Sequence, residues 1–143
     1  MQTTVSETEL APRLRLAITR SARRLRQEAG GALSPSQGAA LATIARHGPL
    51  TPSELATRER IQRPTATRVI KNLEADGLVV REGDPSDGRV SRVRVSTDGR
   101  RLLARSRTRK TAYLAKRLRR LDPEERAVLA KAAAILERLN DEG

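Results

Sequence analysis

Between Arg63 and Lys71 the chain sets two guanidinium groups, two threonine hydroxyls and an ammonium within nine residues, Arg63-Pro64-Thr65-Ala66-Thr67-Arg68-Val69-Ile70-Lys71. None of these groups is a nucleophile at neutral pH, and their chemistry is recognition of phosphate oxygens and base edges. A further cation, Arg89, closes Asp84-Pro85-Ser86-Asp87-Gly88-Arg89, a run of turn formers in which Asp87 is spaced to orient a guanidinium. Groups for covalent or acid–base catalysis are scarce. There is no Cys and a single His, His47, and the chain has neither a Gly-rich phosphate loop nor paired His for a metal. The expectation is therefore no enzyme, no cofactor and no metal site. His47 falls at the end of a predicted helix, where partial positive charge suits the helix dipole.

Charge names a class of partner. Lys and Arg number 29 against 17 Asp and Glu, a formal net charge of +12 and a sequence pI near 11.5 in a 15.7 kDa chain. Such an excess points to a polyanion. Single-stranded nucleic acid is gripped by stacking bases on aromatic rings, yet the chain has no Phe, no Trp and one Tyr, Tyr113. Single-strand readers are disfavoured. No apolar run approaches the roughly 20 residues of a membrane span, and Met1 to Glu9 lacks the regions of a signal peptide. A cytoplasmic protein without a membrane partner is expected.

Elements must position these groups, and the punctuation that bounds them is strong. Residues 1–9 are polar and read as a flexible arm. From Leu10, the apolar spacing of Leu14, Ile18, Ala22 and Leu25 predicts helix one, stopped by Gly30-Gly31. Ser34-Pro35-Ser36-Gln37 is a capping box that opens helix two, with Ala40, Leu41, Ile44 and Ala45 inward. Thr51-Pro52-Ser53-Glu54 repeats the device for helix three. Arg63 to Asp76 is helix four: Ala66, Val69, Ile70 and Leu73 form the buried i, i+3, i+4, i+7 stripe, with Pro64, Arg68 and Lys71 opposite and Thr65 and Thr67 on the flanks.

Two short strands follow, Leu78 to Arg81 and Val90 to Ser96, joined by the loop Asp84 to Arg89. Thr97-Asp98-Gly99 is read as the cap of a long helix from about Arg100 to Leu121, with Leu102, Leu103, Leu114, Leu118 and Leu121 as its apolar stripe. Asp122-Pro123-Glu124-Glu125 caps a last helix carrying Val128, Leu129, Ala132, Ile135, Leu136 and Leu139. That much apolar surface needs a cover, and helix one is the complement the sequence offers. Helix, turn, helix and hairpin in this order make a winged helix-turn-helix, whose second helix enters the major groove. The fold class is mainly α with a small β-hairpin: a winged module over residues 32–96 on a helical dimerisation scaffold built from 10–31 and 97–143.

The positive charge is uneven. Thr51 to Ser96 holds nine basic residues against seven acidic, whereas Thr97 to Leu121 holds ten against one. Arg100, Arg101 and Arg105 could lie near phosphate and add affinity independent of sequence. Lys116 to Arg120 could form a cationic cleft for an anionic effector.

Arg63-Pro64-Thr65-Ala66-Thr67-Arg68-Val69-Ile70, then Leu73-Glu74-Ala75-Asp76-Gly77-Leu78-Val79, together with Asp84-Pro85-Ser86-Asp87-Gly88-Arg89 and Val93 to Gly99, resembles the recognition helix and wing signature of the multiple antibiotic resistance regulator (MarR) family of bacterial transcription factors. The resemblance spans about Leu10 to Leu139. It implies a homodimer interlocked through helix one and the two C-terminal helices, with Leu10, Leu14, Ile18, Leu118, Leu121, Val128, Leu129, Ile135, Leu136 and Leu139 at the interface. It further implies major-groove reading through Arg63, Pro64, Thr65, Thr67, Arg68 and Lys71, and a minor-groove Arg89 supported by Asp87. Thr51, Ser53, Arg92, Arg100 and Arg101 are candidate phosphate contacts.

The partner is then a palindromic operator in duplex DNA, with half-sites about one helical turn apart. The reading is a repressor released by a small-molecule ligand. Many members bind aromatic or phenolic ligands between scaffold and module, but this chain has few aromatic side chains to line such a cleft. An anionic effector fits its composition better. The alternative is a nucleoid-associated, architectural protein of low sequence specificity, which the charge of the long helix favours.

Overall fold

The computed structural model describes residues 4–142. Six helices and one hairpin follow in the order α1 (Glu7–Glu28), α2 (Pro35–His47), α3 (Pro52–Glu59), α4 (Arg63–Ala75), β1 (Val79–Asp84), β2 (Asp87–Val95), α5 (Thr97–Leu118) and α6 (Pro123–Asp141). Ser34, Thr51 and Asp122 each accept from the backbone N–H three residues on, and Gln37, Glu54 and Glu125 reach back, so all three expected capping boxes form.

Several boundaries differ from expectation for local reasons. Helix α1 starts at Glu7, not Leu10, because Ser6 Oγ accepts from the Thr8 amide at 3.2 Å and Glu7 and Glu9 favour the first turn. Residues 7–9 of the expected arm are thus helical, and residues 1–3 lie outside the described residues. Helix α5 is capped by Ser96, not by Thr97-Asp98-Gly99: Ser96 Oγ accepts from the Gly99 amide at 3.0 Å and donates to the Gly77 carbonyl at 2.6 Å. It ends at Leu118, three residues early. Both strands extend into the expected loop, leaving Pro85-Ser86 as the turn.

The two strands pair antiparallel from Val79 opposite Val95 to Gly83 opposite Ser91, and the register then breaks so that Asp84 faces Asp87. The chain between α2 and α3 adds a third, one-residue rung: Leu50 and Val93 exchange backbone hydrogen bonds of 3.0 and 2.8 Å. Val93 is fully buried as a result.

One core serves the module. Ala40, Leu41 and Ile44 of α2, Leu50, Leu55 and Ala56, the α4 stripe Ala66, Val69, Ile70 and Leu73, and Leu78, Val79, Val93 and Val95 are all buried, with Leu33, Leu102 and Leu103 packed against them. Ala45, expected inward, is exposed because α2 turns it toward a cavity instead. Neither α1 nor α6 contains a buried residue. Val128 is 65 % exposed, and Leu129, Ile135 and Leu139 are similarly open. Within one chain, helix one does not cover the last helix.

Candidate nucleic-acid interface

Helix α4 separates its faces as its sequence requires. Ala66, Val69, Ile70 and Leu73 are sunk in the core, while Arg63, Pro64, Arg68 and Lys71 are exposed and Thr65 and Thr67 half-buried. Thr67 Oγ1 donates to the Arg63 carbonyl at 3.1 Å, so its proton faces inward and only its lone pairs remain for an outside donor. Gln62 occupies the N-cap without a side-chain hydrogen bond, unlike the boxed starts of α2, α3 and α6. The turn before α4 is tight: Arg60 adopts φ 54°, and the Ile61 amide reaches the Ala56 carbonyl at 3.0 Å.

The hairpin is organised by carboxylates. Asp84 Oδ1 accepts from the Ser86 amide at 2.8 Å and the Ser86 hydroxyl at 2.7 Å, and Asp84 Oδ2 meets Arg92 Nη1 at 2.8 Å. These hydrogen bonds, the one from Arg92 foremost, hold the Asp84 carboxyl well below the usual carboxylate range, and Asp84 in turn raises the Arg92 guanidinium. Arg92, expected at a phosphate, is thus tied back onto the turn and half-buried. Asp84 is the functional residue that a turn-former reading misses. The signal was present in Asp84-Pro85-Ser86, the i to i+2 spacing of an Asx turn.

Asp87 repeats the motif. Its Oδ1 accepts from the Arg89 amide at 3.0 Å and lies 3.6 Å from Arg89 Nε, a single loose contact with the guanidinium it was expected to orient. Arg89 sits in the register break of β2, not at the turn itself, and its side chain is 95 % exposed. A bulge of this kind re-aims a side chain away from the ladder.

Ion pairs sort the module's cations. Arg81 pairs with Glu74, Arg92 with Asp84 and Arg94 with Glu82, so the stem of the hairpin is largely self-neutralised. Arg58, Arg60, Arg63, Arg68 and Lys71 have no acidic partner among the described residues. Unpaired charge is therefore concentrated on α3, the turn and α4. Among the other candidates, the Thr51 side chain caps α3, Ser53 and Arg100 are exposed, and Arg101 lies a loose 3.9 Å from Asp98.

A cavity of about 510 Å³ opens where the end of α1 meets α2 and α5. Its cations are Arg26, Arg46, Arg107 and Lys110. The α5 cations of this cavity, Arg107 and Lys110, lie nearer the start of the helix than Lys116 to Arg120, where a cationic cleft was expected. Packing explains the difference, since α5 meets α2 and the core only through its first half, at Leu102 and Leu103.

The sequence model of the MarR family matches residues 33–91, from the cavity through the wing. A helix-turn-helix-type transcriptional regulator of Mycobacterium leprae is 41 % identical over 138 residues, 96 % of each chain. This chain belongs to the MarR family. A crystal structure of a transcriptional regulator from Pseudomonas aeruginosa superposes with a TM-score of 0.85 at 38 % identity, covering 96 % of this chain and 98 % of that one. FabT of Streptococcus pneumoniae, solved in complex with DNA, shares the fold with a TM-score of 0.68 at 21 % identity and 93 % coverage of both chains. As a MarR-family member the chain is a DNA-binding transcriptional regulator and not an enzyme. No described helix is long and apolar enough to cross a membrane.

Proposed function

We propose that this MarR-family regulator acts as a homodimeric repressor of a palindromic operator in the cytoplasm and is released by a small ligand. The observation that carries the reading is the outward face of α4, where Arg63, Arg68 and Lys71 stand exposed, without an acidic partner among the described residues, beside Pro64, Thr65 and Thr67. Arg68, Thr65 and Thr67 read base edges, Arg63 and Lys71 add phosphate contacts, and Arg89 enters the minor groove beside them. Thr51, Ser53, Arg100 and Arg101 are the candidate phosphate contacts around this face.

Dimerisation is supported by the apolar surface that a single chain leaves open. Leu10, Ile18, Leu114, Val128, Leu129, Ile135 and Leu139 are exposed along α1, α5 and α6, with Leu14, Leu118, Leu121 and Leu136 half-buried among them. A second copy covers this surface and sets the two reading helices on one face of the duplex. Ligand release is supported by the cavity at the junction of α1, α2 and α5.

Selection of bound sites from a randomised duplex pool at near-physiological salt tests the reading, and a palindrome with half-sites about one helical turn apart is the expected outcome. Retained binding without any enriched motif, with a steep salt slope, would replace it by the architectural alternative that the α5 charge favours.

A further inference from the structure

We infer that the cavity between α1, α2 and α5 takes an amphipathic aliphatic anion, with a carboxylate or phosphate head on its cations and a saturated chain on its methyl-lined wall. The inference rests on the ligand-released reading above and names the class of ligand.

The wall is made of small and branched aliphatic side chains, among them Ala39, Ala42, Ala45, Leu33, Leu102 and Leu103. A planar aromatic ligand gains specificity from ring stacking, and no aromatic residue lines this wall. Tyr113, the single aromatic side chain of the protein, is engaged elsewhere. Its hydroxyl accepts a hydrogen bond from Arg24 Nε at 3.1 Å, and the Arg24 and Arg117 guanidinium carbons lie 5.5 and 4.9 Å from its ring centroid. A flexible alkyl chain needs only apolar surface, which this wall supplies.

The polar side of the cavity has one sign. Arg26, Arg46, Arg107 and Lys110 line it, no Asp or Glu does, and none of the four has an acidic partner among the described residues. Arg26 and Lys110 are half-buried, so an anion in the cavity meets them with less screening by water than on an open surface. The start of α2, at Ser34 and Pro35, faces the same space and adds the positive end of its dipole. A neutral ligand of the same length would leave these charges unanswered. At about 510 Å³ the cavity lies inside the range of small-ligand sites.

Helix α2 joins this cavity to the reading module. Ala39, Ala42 and Arg46 face the cavity, whereas Ala40, Leu41 and Ile44 are buried in the module core and the Thr43 hydroxyl donates to Glu59 at the end of α3. A chain inserted along α2 therefore acts on the support of α3 and α4.

The test uses the full-length protein with decanoate, decyl phosphate, decanol, salicylate and inorganic phosphate, read by thermal melting and by anisotropy of a labelled operator duplex. Decanoate or decyl phosphate should raise the melting temperature and lower operator affinity roughly 5- to 150-fold. The stronger of the two identifies the head group. Decanol, salicylate and inorganic phosphate at equal concentration should do neither. Equal action by decanol or salicylate, full action by inorganic phosphate, or a fall in melting temperature with both alkyl anions would overturn the inference.

In the Arg26→Gln, Lys110→Gln double variant the decanoate shift should vanish, and an unchanged shift overturns the assignment of the head group. Ala42→Leu, which narrows the apolar end and keeps every charge, should favour octanoate over decanoate. A melting shift without loss of operator affinity would uphold the ligand class and sink the release reading. Release by a different compound, with no response to the alkyl anions, would do the reverse.

Discussion

Arg92 Nη1 stands 2.8 Å from Asp84 Oδ2 across the base of the hairpin turn, while the other oxygen of the same carboxylate holds Ser86. The wing thus carries its own internal brace, and Arg89 projects from a structure that is set before DNA arrives. Preorganisation of this kind lowers the ordering cost of binding.

Asp84→Asn should loosen the turn and weaken operator binding with sequence preference unchanged. Because the folded carboxyl titrates below its ordinary value near 3.8, its stabilisation is complete above that value and is lost only as the pH falls through the depressed folded one. The Ser86 amide resonance should therefore hold its position from pH 7 to about pH 4. A midpoint at an ordinary carboxylate value would show that the brace is absent in solution.

Gly99 sits where α5 leaves the sheet, and a Cβ there would stand 2.2 Å from the Leu78 carbonyl oxygen and 2.7 Å from Val95 Cγ2. Close approach, not an unusual backbone angle, is what requires glycine in the Thr-x-Gly start of α5. Gly99→Ala should destabilise the module by about 1–3 kcal/mol through overpacking. Denaturant melts of the two proteins give the difference directly.

Arg60 holds a left-handed backbone, φ 54°, between α3 and α4, where a side chain is disfavoured. Arg60→Gly should raise stability by up to about 1 kcal/mol, and it should lower DNA affinity by removing an unpaired cation. Gain in melting temperature with loss of affinity is the expected signature, and a loss of both would refute the strain argument.

Arg68→Ala should change which bases are preferred, at roughly 1–3 kcal/mol for a lost base contact. Arg89→Ala should weaken all sites alike. Repeating the site selection with both variants separates the two roles, and an unchanged preference for Arg68→Ala would displace the reading face from α4.

Much of this fold was legible because its signals are local. The capping boxes at Ser34, Thr51 and Asp122 close within three residues, and the α4 stripe needs only its own periodicity. What escaped depends on distant partners. Ser96 outcompetes its neighbour Thr97 as the α5 cap because its hydroxyl also bonds the Gly77 carbonyl, 19 positions away. The Leu50–Val93 rung and the Asp84–Arg92 brace likewise join residues that no short window contains. The cavity draws its cations from residues 26 to 110, so its place could not be read from the charge of α5 alone.

The buried core lies wholly between Ala40 and Val95, and α6 contributes nothing to it. The reading module can then hold its shape in a lone chain, whereas in the proposed dimer order in α1 and α6 would follow mass action between chains. Heating a dilute sample should melt the scaffold first, at a temperature that rises with protein concentration, and the module later at one that does not. A cell holding few copies of this protein would sit near that first transition, so the number of molecules made becomes itself a control on occupancy of the operator.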